Sequence, residues 1–179
     1  MTTPEIAFLP PSAAEDAELV ATLTELVNTV YAKAEAGLWA GSADRTNAGE
    51  MAGLVRAGEI AVARLGGAVV GSVRIQRLGE ELGEFGLLAA SPEVRGAGIG
   101  RELVRFAESH CRAAGCTRMQ LELLVPREWT HPSKEFLAQW YGRLGYRVVE
   151  TSTIDGPHPE LAPLLATPCD FLIWHKELG

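Results

Sequence analysis

Long apolar runs are missing from this 179-residue chain. None reaches the roughly 18 residues a membrane-spanning helix needs. The N-terminus, Met1-Thr2-Thr3-Pro4-Glu5, has neither the basic start nor the apolar centre of a signal peptide, so a cytoplasmic location is expected. Cysteine is scarce: Cys111, Cys116 and Cys169 are odd in number and show no C-x-x-C spacing, which argues against a disulfide framework and a cysteine metal site. Positive charge is short as well. Sixteen Lys and Arg against 23 Asp and Glu leave a net charge of −7, which argues against the broad basic face of a nucleic-acid binder. No internal repeat, low-complexity tract or interdomain linker occurs.

Apolar residues are plentiful, at 47%, and a chain of this length can bury one substantial core. One domain over residues 1–179 is the expectation. The most distinctive stretch runs from Ser91 to Val104, where an apolar strand passes into an amphipathic helix through glycines at 96, 98 and 100. A helix starting there points free backbone N–H groups and the positive end of its dipole at whatever precedes it. Glycines let an anion touch the backbone and tolerate the positive φ of a curled loop. Arg95 adds a side-chain charge. A P-loop needs Gly-Lys followed by a hydroxyl residue, but Gly100 is followed by Arg101 and Glu102. The dinucleotide fingerprint needs its third glycine three positions after the second, and here Gly100 comes early.

Along the chain, Glu5 to Leu9 reads as a strand, and Ser12 with Glu15 forms a capping box for a helix carrying Leu19, Leu23, Val27 and Tyr31 to about Gly37. A loop follows from Gly37 to Ser42, then a second helix from about Thr46 to Ala57. Ile60–Leu65 and Ala68–Ile75 flank a Gly66-Gly67 turn and predict a hairpin. A strand from Glu84 to Ala90 feeds the glycine loop. The next helix buries Ile99, Leu103, Phe106, Ala107, His110 and Cys111 and stops at Gly115, and Arg118–Val125 returns as a strand parallel to the 84–90 strand. A polar loop to Pro132 precedes a helix capped by Ser133, which ends at Gly145. Tyr146–Glu150 and Cys169–Lys176 are closing strands around an irregular stretch from Asp155 to Pro168.

Arg95-Gly96-Ala97-Gly98-Ile99-Gly100 resembles the coenzyme A pyrophosphate loop of the GNAT superfamily of acyl-CoA N-acyltransferases. The stretch from Phe136 to Tyr146 resembles the aromatic-Tyr-x-x-x-Gly-aromatic helix end of the same family, and the order of elements matches over nearly the whole chain. The resemblance implies an α/β (α+β) GNAT fold: a mixed sheet of about six to seven strands with a splayed parallel pair, flanked by about four helices. It implies acetyl-CoA as co-substrate, no metal, and a small-molecule or peptide amine as acceptor, attacked directly in a ternary complex. A catalytically silent acyl-CoA sensor is the alternative. Neither nucleic acid nor membrane is expected as a partner, and a homodimer is compatible with the sequence.

By position in the motif, Leu88, Ala89 and Ala90 are the strand segment that pairs with the pantetheine arm, and Gly96, Ala97, Gly98, Ile99, Gly100 and Arg101 cradle the pyrophosphate. Tyr141 matches the tyrosine that protonates the departing thiolate; a phenol keeps its proton at neutral pH yet can give it to sulfur. Glu84 matches the glutamate base of histone acetyltransferase members, and strand alternation places it on one face with Gly86, Leu88 and Ala90. Glu122 interrupts an apolar strand and is the second candidate base; either acts directly or through water, or both are ordinary strand charges. Many relatives carry an Asn about seven residues before the tyrosine; Lys134 stands here and is a candidate partner for a coenzyme A phosphate. Tyr31 and Trp39 are candidates for the substrate entrance, or plain rim aromatics. His131 and His158 read as solvated loop histidines rather than catalytic ones.

Overall fold

The computed structural model describes residues 3–41 and 44–179. Met1 and Thr2 of the N-terminal reading, and Ser42 of the loop after the first helix, lie outside the described residues. In chain order the elements are β1 (Glu5–Phe8), α1 (Ala17–Ala34), α2 (Ala48–Arg56), β2 (Ile60–Leu65), β3 (Ala68–Arg77) and β4 (Leu82–Ala90), followed by α3 (Ile99–Ala113), β5 (Arg118–Pro126), α4 (Pro132–Arg143), β6 (Arg147–Ser152) and β7 (Cys169–Glu177). The strands form one mixed sheet in the order β1-β2-β3-β4-β5-β7-β6, in which β4 and β5 are parallel and every other neighbouring pair is antiparallel. This is the expected architecture, with four helices around seven strands.

The helices cover opposite faces. Leu103, Ala107 and Cys111 of α3 and Tyr141 of α4 join Val73, Ile75, Phe85, Leu121 and Trp174 in one core. Val20, Leu23 and Val27 of α1, with Met51 and Val55 of α2, pack on Ile60, Val62, Leu87 and Ala89 on the other side. Strand alternation divides each strand between these two cores. Two glycines let α3 lie close to the sheet: a Cβ at Gly71 would stand 2.7 Å from Ile99 Cγ2, and one at Gly83 would stand 2.6 Å from Cys111 Sγ.

Two helix starts differ from the sequence reading for the same reason, competition among nearby caps. Pro11–Glu15 forms a 3-10 turn instead of the first turn of a capped helix, and Asp16 caps α1 by accepting the Leu19 N–H at 3.1 Å. At α4 the cap is His131, whose Nδ1 accepts from the Ser133 N–H at 3.2 Å; Ser133 is itself inside the helix behind Pro132.

Candidate functional site

The loop between β4 and α3 has the geometry of an anion cradle. Pro92–Val94 makes a 3-10 turn capped by Ser91, and α3 then begins at Ile99 from Gly98, whose φ is +74°, with no side chain capping the helix. The first N–H groups of α3 therefore keep their donors. Gly96 also has positive φ, +86°, and a Cβ there would meet nothing, so the backbone is open to a ligand. Arg95, Gly96, Ala97 and Arg101 are exposed, and Trp140 of α4 packs against the first turn at Gly100, 3.5 Å from where a Cβ would stand. These features fit a diphosphate: uncapped donors, a dipole end, an adjacent arginine and no Cβ in the way.

Behind the loop the sheet opens. β4 pairs with β5 only at Leu82–Arg118, Gly83–Met119 and Glu84–Gln120, while β5 pairs with β7 along its full length. From Phe85 onward the β5-facing edge of β4 has no partner strand. On its other edge β4 carries a bulge: the pairing with β3 shifts between Ser72–Ala89 and Arg74–Gly86, so Leu87 and Leu88 stand opposite Val73 alone. Leu87 adopts φ +50°, a left-handed conformation in a residue with a branched side chain, held by the surrounding sheet. The bulge corrects the expected alternation. Leu87 and Ala89 pack with α1 and α2, whereas Leu88 and Ala90 turn toward α3 and α4. Glu84 and Gly86 thus share a face with Leu87 and Ala89, not with Leu88 and Ala90.

On the α1 and α2 face, at the point where the strands part, Glu84 is partly buried between two amides. Gln76 Nε2 donates to its Oε1 at 2.9 Å, and Gln120 Nε2 to its Oε2 at 2.7 Å. Burial, chiefly, and the nearby Glu122 carboxylate hold Glu84 above the usual carboxylate range, while the two amides pull it back. The row continues across β7. Because Gln120 gives its amide N–H to Glu84, its oxygen faces His175, whose Nε2 donates to it at 2.8 Å; burial lowers the His175 pKa. Glu122, two residues past Gln120 on the same face, is exposed and meets His158 Nε2 at 3.5 Å.

Tyr141 stands on the opposite face, 7% exposed, with ring centroids 6.1 Å from Phe85 and 6.4 Å from Trp174. Burial first, and the phenol of Tyr31 second, hold it far above the ordinary phenol range. Tyr31, on α1, has its own pKa pushed up to about 12 by burial and lowered by the Arg45 guanidinium, whose carbon stands 5.4 Å from the ring centre, and by the Leu88 backbone N–H. A cavity of about 440 Å³ opens between the end of β5 and the first turn of α4, lined by Val125, Arg127, Glu128, His131, Lys134 and Ala138 among others. Glu84 and Tyr141 do not line it.

The sequence matches the acetyltransferase (GNAT) family over residues 18–146, most of its length. The chain belongs to the GNAT acetyltransferase family. No curated protein matches it. Among solved structures it is similar to the yncA protein of Salmonella typhimurium, solved with its cofactor acetyl-CoA, at 14% identity over 99% of this chain and 95% of that one, with a TM-score of 0.68. It is also similar to a GNAT-family acetyltransferase from Streptococcus pneumoniae, at 18% identity over 99% and 100% of the two chains and a TM-score of 0.66. Against N-acetylglutamate synthase of Neisseria gonorrhoeae, solved with coenzyme A and N-acetyl-glutamate, identity is 14%, with all of this chain but 36% of that one covered and a TM-score of 0.66. At these identities the structures share the fold. The GNAT family places the chain among the acyltransferases.

One expected contact is corrected. Lys134 does not offer a free cation to a phosphate: it is 4% exposed, and its Nζ pairs with Glu35 Oε2 at 2.8 Å. A buried ammonium needs a close anion, and Glu35, at the end of α1, supplies it while also accepting from Trp39 Nε1 at 3.0 Å. His131 is corrected too. It is 6% exposed and links α4 to α1, with Nδ1 accepting from Ser133, so the proton lies on Nε2, which donates to Ala36 O at 2.9 Å. Sequence reasoning missed Gln76, Gln120, His175 and Glu35. Each is polar at an otherwise apolar strand or helix position, but only the strand register shows that Gln76, Gln120 and His175 line up beside Glu84. No helix of the described residues is long and apolar enough to cross a membrane.

Proposed function

We propose that the protein is an N-acetyltransferase that moves an acetyl group from acetyl-CoA to a primary amine by direct attack, the chain working as one catalytic unit. The observation that carries this reading is the strand gap itself, with Glu84 on one face, Tyr141 on the other and the Gly96–Arg101 cradle at its end. Bound acetyl-CoA supplies the activated acyl group as a thioester. The α3 N-terminus with Arg95, Gly96, Ala97, Gly98, Ile99, Gly100 and Arg101 holds its diphosphate, and the unpaired edge at Leu88, Ala89 and Ala90 pairs with its amide groups as an added strand would. A backbone N–H of the bulge stabilises charge on the carbonyl oxygen.

Glu84 receives a proton from the acceptor ammonium. Its raised pKa brings it closer to neutrality, where a base works best. Tyr141 gives its phenolic proton to the leaving sulfur. The dry surroundings that hold Tyr141 protonated also make a thiolate basic, so the transfer is matched on both sides. Cysteine chemistry is disfavoured: burial pushes Cys111 up to about 11 and also raises Cys169, which argues against an acyl-cysteine intermediate. All three cysteines are free and buried, in keeping with a reducing cytoplasm.

The test measures release of free coenzyme A from acetyl-CoA with spermidine, L-lysine, L-glutamate, an alanyl dipeptide and kanamycin in parallel, alongside acetyl-CoA binding by calorimetry. Amine-dependent release with at least one acceptor is expected. Tight binding with no amine-dependent release for any of them would replace the transferase reading with a silent acyl-CoA sensor.

A further inference from the structure

An ammonium acceptor loses two protons in becoming an amide. One ends on the coenzyme A sulfur by way of Tyr141, and the other must reach solvent. Glu84 cannot pass it on through its closest partners, because Gln76 and Gln120 present amide N–H groups to it and accept nothing at those atoms. Glu122, however, stands two positions past Gln120 on the same face of β5, near enough to Glu84 to raise its pKa, and is exposed. Beyond it, His158 Nε2 lies 3.5 Å from Glu122 Oε2, and its Nδ1 lies 3.8 Å from Glu160 Oε1.

The imidazole is held in this position. Its backbone N–H donates to Ile154 O at 2.7 Å, its carbonyl accepts from the Leu161 N–H at 3.0 Å, and its ring stands edge-on to Phe171, with centroids 5.7 Å apart. The ring thus connects a carboxylate in the gap to the surface through the irregular segment between β6 and β7. The charged groups facing it among the described residues are Glu122 from β5 and Glu160 from its own segment, while β7 presents only the Phe171 ring.

We propose that Glu122 and His158 form the exit route for the acceptor's proton, taking it from Glu84 and delivering it to solvent. This rests on Glu84 being the base. Each step breaks one O–H or N–H bond and forms another: the proton on Glu84 moves to Glu122, then to His158 Nε2, the Nδ1 proton passes to water, and exchange with water returns the ring to its starting tautomer. Glu84 returns to the carboxylate, and no other reactant is needed. Glu122 and His158 are positioned to relay the proton and do not touch the reacting carbonyl.

Turnover and its rescue test the route. Glu122→Gln should lower kcat by about tenfold at an unchanged KM for acetyl-CoA; an unchanged kcat overturns the relay. In turnover, with the fastest amine of the panel above, His158→Gln should lower kcat by about tenfold in dilute buffer and leave the KM for acetyl-CoA unchanged. Added imidazole should restore most of the loss, as a mobile proton carrier replaces the fixed one. A loss that imidazole does not restore is structural and overturns the relay alone. No turnover by the wild type with any amine overturns the transferase reading, and the relay with it.

Discussion

At the scale of single residues, burial raises the pKa of both Glu84 and Tyr141, which brings the carboxyl toward neutrality and takes the phenol further from it. For Glu84 the ionised form is the penalised one, so the native state binds its proton more tightly than the unfolded chain does, and stability falls as pH rises from the unfolded value near ~4.3 through the raised native value. Glu84→Gln removes that penalty; its oxygen still accepts from Gln120, and its new amide N–H is met by the Gln76 oxygen once that amide flips. Its Tm should exceed that of the wild type at pH 7, with the advantage shrinking as pH falls through the raised native value toward the unfolded one; calorimetry across the acid range checks the sign. The same variant should lose about 100-fold or more in kcat. Tyr141→Phe should keep acetyl-CoA affinity while kcat falls by about 10- to 100-fold, because the phenol is used only as the sulfur leaves. Equal turnover at saturating substrates would remove the acid role. Both residues were visible in the sequence as members of recognisable motifs. Their partners were not, since Gln76 and Gln120 acquire meaning only once β3, β4 and β5 are in register.

Among the elements, α3 was the most legible: its apolar stripe, its glycine entry and its Gly115 stop are local signals, and it forms over Ile99–Ala113. The bulge in β4 was not legible, because Leu87 carries no glycine or proline to mark it, and its φ of +50° is imposed by the strands on either side. The two N-caps were misread where several capping residues stand close together and tertiary packing chooses among them. Loop and helix act together at Gly98. With φ at +74°, Gly98→Val is strained in the backbone as well as obstructive to an anion. Acetyl-CoA affinity should fall by about tenfold or more in calorimetry, whereas Gly53→Ala, inside α2 with nothing near its Cβ, should leave it unchanged. Equal binding by the Gly98 variant would remove the loop from the cofactor site.

Across the whole molecule, α1 and α4 lie on opposite faces of the sheet yet touch, because the parting of β4 and β5 leaves the space between them open. Three links join the chain just after α1 to the start of α4 and the loop before it: the Lys134–Glu35 pair at 2.8 Å, the His131–Ala36 hydrogen bond at 2.9 Å, and the Trp129 ring 3.4 Å from where a Cβ on Gly37 would stand. On α1, Tyr31 and Glu35 are one turn apart; on α4, Lys134 and Tyr141 are two turns apart, so each helix presents a polar side chain and a tyrosine along one side. The ion pair ties together the sides of the two helices that carry Tyr31 and Tyr141. The pair is almost dry, with side chains 5% and 10% exposed, so removing one member strands the other as a buried charge. Lys134→Met should cost about 3–5 kcal/mol, a Tm loss on the order of 10 °C at this chain length. Glu35→Leu with Lys134→Met should recover most of that, since no charge is then left unpaired. If the pair only supports the fold, the double variant regains kcat along with Tm. If it also sets the tyrosine spacing, kcat stays low at full stability while the KM for acetyl-CoA is unchanged, and the second result is expected, because a leucine and a methionine fill the space without fixing its width.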